Sequence, residues 1–176
     1  MSDLPPNESN GAAAPVDGPT PVGPLMLNLQ FTKDLSFEVP GAPEIFATLR
    51  EQPRVDLQLD VQARPLQDGA NVYEVSLQIR ADAKAAIDGQ NQTCFIAELV
   101  YCGIFTIDVP PDQVEPLLLV ECPRLLFPFA RNILADITRD GGFPPVLLAP
   151  IDFVALWQSR RAQGLGGLAG GAAGTA

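Results

Sequence analysis

The sequence predicts an α+β fold: a four-stranded antiparallel sheet followed by helices that lie on one of its faces. Three stretches between Leu25 and Lys84 alternate apolar with polar residues at period two, the pattern of a strand with one face on a core, and in a fourth, Thr93 to Ile107, the alternation weakens. Turn-forming segments containing Asp68-Gly69 and Asp88-Gly89-Gln90-Asn91 separate the last three of them. From Pro111 to Trp157 the apolar spacing becomes helical, with Gly141-Gly142 breaking it.

In chain order, Met1 to Pro24 is rich in Pro, Gly, Ala and Asn, offers little to bury, and reads as a disordered arm. In the first strand, Leu25, Leu27, Leu29 and Phe31 are assigned to one face, which Leu35, Phe37 and Val39 resume after an interruption at Lys33. Asn28, Gln30, Thr32, Asp34, Ser36 and Glu38 are assigned to the wet face. Pro40-Gly41-Ala42-Pro43 ends the strand, and Ile45, Phe46 and Leu49 follow without alternation, so a short helical turn or irregular crossover is expected. Val55 to Gln62 is the second strand and Tyr73 to Lys84 the third. The fourth, Thr93 to Ile107, is apolar on both sides, with Phe95, Ala97, Leu99 and Tyr101 on one face and Cys94, Ile96, Val100 and Cys102 beside Glu98 on the other. Such a strand is covered twice, or covered once and used for association, which predicts a subunit contact there.

Proline lacks the N–H that closes an interior helical turn, so Pro116, Pro123 and Pro128 belong at helix starts or kinks. The expectation is a short helix, a break, and a second helix from about Pro128 to Arg139, with Phe129, Ile133 and Ile137 at i, i+4 and i+8. Asp152 suits the N-cap of a last helix whose stripe is Phe153, Leu156 and Trp157. Beyond Gln163 the chain is a Gly/Ala-rich flexible tail. The organisation expected is an arm over 1–24, one domain over 25–163 and a tail over 164–176.

The chain has 176 residues, net charge −10 and pI near 4.3, which disfavours nucleic acid and favours basic or apolar partners. With no histidine there is no Ser-His-Asp or Cys-His site. Three cysteines, Cys94, Cys102 and Cys122, lack C-x-x-C spacing, give neither a disulfide framework nor four zinc ligands, and read as small core hydrophobes in a reducing cytoplasm. No cofactor is expected. Asp3 and Glu8 stand where a signal peptide would be basic, and Leu117 to Val120 is far short of the ~20 residues that cross a bilayer. Asp56 and Asp60 share one strand face, where a hydrolase pair is imaginable, but solvated strand charge accounts for both.

The string Cys122-Pro123-Arg124-Leu125-Leu126-Phe127-Pro128-Phe129-Ala130-Arg131, followed by Gly142-Phe143-Pro144-Pro145-Val146-Leu147-Leu148-Ala149-Pro150-Ile151-Asp152-Phe153-Val154-Ala155-Leu156, resembles SecB, the bacterial protein-export chaperone family. Phe31 to Pro43 matches the family's first strand and the loop after it, and Gly103-Ile104-Phe105 closes its fourth. The resemblance runs from about Leu27 to Gln163. It departs at Leu49-Arg50-Glu51, where the family often has tryptophan, and at Cys102-Gly103, which replaces a Gly-Gly pair.

The resemblance implies an ATP-independent chaperone that keeps unfolded precursor proteins competent for translocation and passes them to SecA, the translocation ATPase. It implies that Asp34, Glu38, Ile96 and Glu98 receive the zinc-bearing tail of SecA, the metal being the partner's. It implies client contacts at Phe46, Leu49, Val154 and Trp157, and a homotetramer, a dimer of dimers, to which Ala97, Leu99 and Tyr101 contribute. The alternative within the family is a SecB-like chaperone dedicated to one partner, such as an antitoxin.

Overall fold

Period-two alternation becomes pairing in the computed structural model, which describes residues 23–164. Strands Leu25–Glu38 (β1), Arg54–Pro65 (β2), Val72–Ile87 (β3) and Gln90–Ile107 (β4) form one antiparallel sheet in the spatial order β1-β4-β3-β2. The crossover from β1 to β2 carries a short helix, Glu44–Thr48 (α1), as its lack of alternation predicted. The expected arm and tail fall outside the described residues except for Gly23, Pro24 and Gly164.

One sheet face is sealed. Val75, Leu77, Ile79, Ala81 and Ala83 of β3 and Phe95, Ala97, Leu99, Tyr101 and Phe105 of β4 are buried beneath the helices that follow. Those helices contribute Leu126, Phe127, Ala130 and Leu134 to the same core. All three cysteines are buried, and burial raises each thiol above its ordinary value, as for small hydrophobes.

The face assignment within β1 is corrected by two bulges. Pairing with β4 slips by one residue between Leu27 and Leu29 and again between Thr32 and Asp34, so Asn28 and Lys33 are each an extra residue. Each slip reverses the alternation. Leu29 pairs with Ile104 and Phe31 with Cys102, which puts them on the face of Asp34, Ser36 and Glu38, away from Leu25 and Leu27. Leu35 and Phe37 return to the helix side, opposite Leu99 and Ala97.

The helical region also departs from expectation. No break separates Pro123 from Pro128: Pro111–Pro116 (α2) runs through one widened, π-type turn at Leu117–Glu121 directly into Cys122–Asp140 (α3). Pro123 falls in the first turn of α3, immediately after the widened turn, where the irregular helical bonding accommodates its missing N–H. Pro128 lies inside the helix, but it and Arg124, whose carbonyl loses its partner, both face solvent. Gly141 and Gly142 end α3 as predicted.

At that end Phe37 packs so tightly against Gly141 that a Cβ there would run into its ring. Phe37 stacks on Phe95 there, Phe143 packs tilted against Phe95 with centroids 4.9 Å apart, and Phe46 joins Phe143 at 5.2 Å. Asp152 caps the last helix, Phe153–Ala162 (α4), accepting from the Ala155 N–H at 3.0 Å. Arg160 clasps α4 to the sheet edge, donating to the Val61 carbonyl at 2.9 Å and to the Asp60 carboxylate.

Thr138 stitches α3 to the extended segment after it. Fully buried, its Oγ1 donates to the Leu134 carbonyl at 2.9 Å and accepts from the Val146 N–H at 3.0 Å. Thr138→Val keeps the shape and orphans that N–H. Urea unfolding of this variant should show a loss of about 1–3 kcal/mol, and an unchanged midpoint would refute the stitch.

Candidate docking face and client groove

The helices leave the second sheet face uncovered, and strand register builds a site on it. Glu38 pairs with Ile96, Ser36 with Glu98 and Asp34 with Val100 across β1 and β4. Across β4 and β3, Ile96 meets Asp82 and Glu98 meets Arg80. Paired side chains lie about 4.5–5.5 Å apart at Cβ, so Ile96 is a half-buried apolar spot between the carboxylates of Glu38 and Asp82. The four residues singled out from the sequence, Asp34, Glu38, Ile96 and Glu98, thus share one face. Asp34 and Glu38 are exposed and form no ion pair among the described residues.

The register brings in two residues that sequence reasoning missed. Arg80 lays its Nε and Nη2 on Asp82 at 2.8 and 2.9 Å and its Nη1 on Glu98. Hydrogen bonds from Arg80 hold the Asp82 carboxyl below the usual range, and both acids keep the guanidinium protonated. The available signal was Arg80-x-Asp82 on a polar strand face, but without the register nothing tied it to Glu98.

A second ionic cluster stands further along the same face. Glu74, only 4% exposed, accepts from Lys33 at 2.6 Å and from Arg64. Burial alone would raise its carboxyl; hydrogen bonds and charge from the two cations outweigh that and hold it below the ordinary value. Between the two clusters a shallow depression is lined by Asp34, Gln58, Asp60 and Gln78. Asp60 is occupied by Arg160, and Asp56 is about 13 Å from it along the strand, well beyond the ~5–9.5 Å of a hydrolytic carboxylate pair.

The client candidates fall into two neighbourhoods. Phe46, 46% exposed, and Leu49, partly buried, belong to the crossover, Phe46 against Phe143. Val154 is exposed on α4, where Trp157 donates to Glu115 at 3.1 Å and lies under the Arg161 guanidinium. The Gly142–Asp152 segment links them, and Val146 and Leu147 border an apolar groove with Pro53, Val55 and Phe95. Leu147, 72% exposed, was not singled out from the sequence because a loop gives no periodicity to place it.

Ala97, Leu99 and Tyr101 are 0%, 1% and 6% exposed within the single chain. They point under α3, where Tyr101 stacks on Phe129 at 6.4 Å. Within the single chain they are covered by that helix.

A sheet with helices on one face, an acidic apolar-centred patch on the other, and exposed apolar surface beside the helices offers binding surfaces and no catalytic constellation among the described residues. The SecB family model, described as preprotein translocase subunit SecB, matches residues 20–164. The protein-export protein SecB of Granulibacter bethesdensis is 60% identical over 166 residues, covering 93% of this chain and 95% of that one. That of Acidiphilium cryptum is 61% identical over 154 residues, covering 82% and 93%. Among solved structures, a Mycobacterium tuberculosis SecB-like chaperone in complex with an antitoxin peptide superposes with TM-score 0.58 and 14% identity, covering 72% of this chain and 90% of that one. At that identity the likeness is one of fold.

The chain belongs to the SecB family of protein-export chaperones. The alternative of a chaperone dedicated to one antitoxin is not favoured, since the relatives at 60% and 61% identity are export proteins. No helix among the described residues is long and apolar enough to cross a membrane.

Glu74 gives the face a pH signature. Its folded value is below the ordinary 4.5, so its pairs stabilise the fold above that pH, and the contribution is lost as pH falls through the folded value. Lys33 and Arg64 are about half exposed, which discounts the pairs to about 1–2 kcal/mol. Glu74→Gln should be less stable than the parent by that amount at pH 7, with the gap narrowing in urea titrations as pH falls below the ordinary carboxylate range. A gap that persists in acid would assign the loss to packing.

Proposed function

We propose that this chaperone holds unfolded precursors on its helix side and delivers them to SecA through the uncovered sheet face. The carrying observation is that Glu38, Asp82 and Glu98 flank Ile96 on one face free of helices, with Asp34 further along the same face. An apolar residue ringed by carboxylates suits a short partner segment that presents cations around an apolar side chain.

Client binding rests on Phe46, Leu49, Val154 and Trp157, joined by Leu147 and the groove beside Val55. Burying one large apolar side chain is worth ~1.5–3 kcal/mol, so several contacts along an extended chain hold it without ATP. A folded client hides those side chains. Selectivity for the unfolded state follows from that alone.

The assembly proposed is a homotetramer, a dimer of dimers. Leu125 and Phe129, 45% and 46% exposed, lie one turn apart on α3 and supply an apolar helix face for association. Ala97, Leu99 and Tyr101 set the height and tilt of that face from beneath. Several grooves per assembly then raise avidity for one long client. The compartment proposed is the cytoplasm, where precursors await export and unpaired thiols stay reduced.

Glu98→Lys should weaken SecA binding by about tenfold or more in titration calorimetry while tetramer mass and client capture are unchanged. Unaltered affinity would remove the docking site. Sedimentation of the full chain with a denatured precursor should give a complex that the folded precursor does not, and co-sedimentation of both forms alike would refute the client reading.

A further inference from the structure

The docking face carries its own cation at the place where a partner's cation must land. Arg80 rises from β3 directly opposite Glu98 and makes three bonds of unequal character. Its Nε and Nη2 form a planar fork on the two oxygens of Asp82, at 2.8 and 2.9 Å. Its Nη1 alone reaches Glu98. Asp82 is 19% exposed at its side chain and Glu98 45%, so the fork is the sheltered contact and the Glu98 bond the accessible one. Asp34 and Glu38, on the neighbouring strand, have no comparable occupant among the described residues.

We propose that Arg80 is a tethered competitor at the docking face, anchored on Asp82 and surrendering its Glu98 bond when a cation of the partner docks. The proposal rests on the docking reading above and adds a residue that sets affinity and selectivity within it. A guanidinium fixed 2.8–2.9 Å from Asp82 is present at Glu98 at high effective concentration. An isolated lysine of an unfolded client must displace it and gains little, exchanging one cation for another. A partner that also engages Asp34, Glu38 and Ile96 gains contacts Arg80 does not oppose. Arg80 thereby favours a partner with several cations in register over a chain carrying scattered ones. Because the fork stays on Asp82, the exchange breaks one bond and leaves no guanidinium unpaired.

The test is titration of purified SecA onto the full chain and its Arg80→Gln, Glu98→Gln and double variants, at low and high salt. Arg80→Gln should tighten binding about two- to fivefold at low salt, the range an exposed ion pair is worth, with the gain shrinking at high salt. In the double variant the gain should vanish, since the bond Arg80 competes for is gone. Circular dichroism and sedimentation check that each variant keeps fold and assembly. Should Arg80→Gln misfold, Arg80→Lys, which keeps the charge and loses the fork, must tighten binding instead. Weakened SecA binding in Glu98→Gln with no gain from Arg80→Gln overturns the competitor and spares the docking reading. No effect of Glu98→Gln overturns both.

Discussion

Single-residue offsets in strand pairing are the constraint on which both faces of the sheet depend. The β3–β4 hairpin closes on Ile87 opposite Gln90 and, carried on without interruption, would set Ile79 against Glu98 and Arg80 against Ala97. The extra residue at Cys94 shifts every later pair by one, so that Ile79 meets Leu99 and Arg80 meets Glu98. Without it the pairing would ask Glu98 to share the buried face with Ile79. Leaving a carboxylate there unpaired costs several kcal/mol, far more than a bulge. Lys33 does the same for β1, since without that bulge Asp34 would oppose Leu99.

Those offsets produce two ionic clusters with different uses. Glu74 is buried and both of its cations come from other strands, Arg64 from adjacent β2 and Lys33 from β1 across β4, so the cluster ties the sheet together and offers little to a newcomer. Around Arg80 the acids outnumber the cation, and one of them is nearly half exposed. A chain of net charge −10 therefore concentrates uncompensated negative potential near Asp34, Glu38 and Glu98, while Glu74, Asp60 and Asp82 are neutralised at home.

Much of this was legible in the residues. Four strands, their order in the chain, the crossover turn, the Asp152 cap and the stop at Gly141 all follow from alternation, turn chemistry and capping. The faces of Leu29 and Phe31 were not, because alternation fixes neighbours only within an uninterrupted stretch, and two bulges lie between Leu27 and Asp34. The prolines of α3 misled for a related reason: local propensity penalises Pro128 in any helix, but the penalty is small where the freed carbonyl meets water and the buried stripe from Cys122 to Leu134 holds the helix together. At the site, Asp34, Glu38, Ile96 and Glu98 were found through family resemblance. Arg80 and Asp82 required the register, because a charge on a strand says nothing of which charge lies across from it.

The sheet is also a partition. β4 presents Ala97, Leu99 and Tyr101 to α3 and, one residue out of phase, Ile96 and Glu98 to the open face. The proposed client surfaces border the helices and the proposed motor dock is on the opposite face, so neither occupant excludes the other. Handover then cannot rest on simple competition for one surface. It needs the motor and the client held at once, which is what a single layer of strand with two differently patterned faces permits. Ala97, Leu99 and Tyr101 pack beneath α3 while Ile96, Glu98 and Val100, alternating with them, face the open side, so β4 is where the two faces are joined most directly.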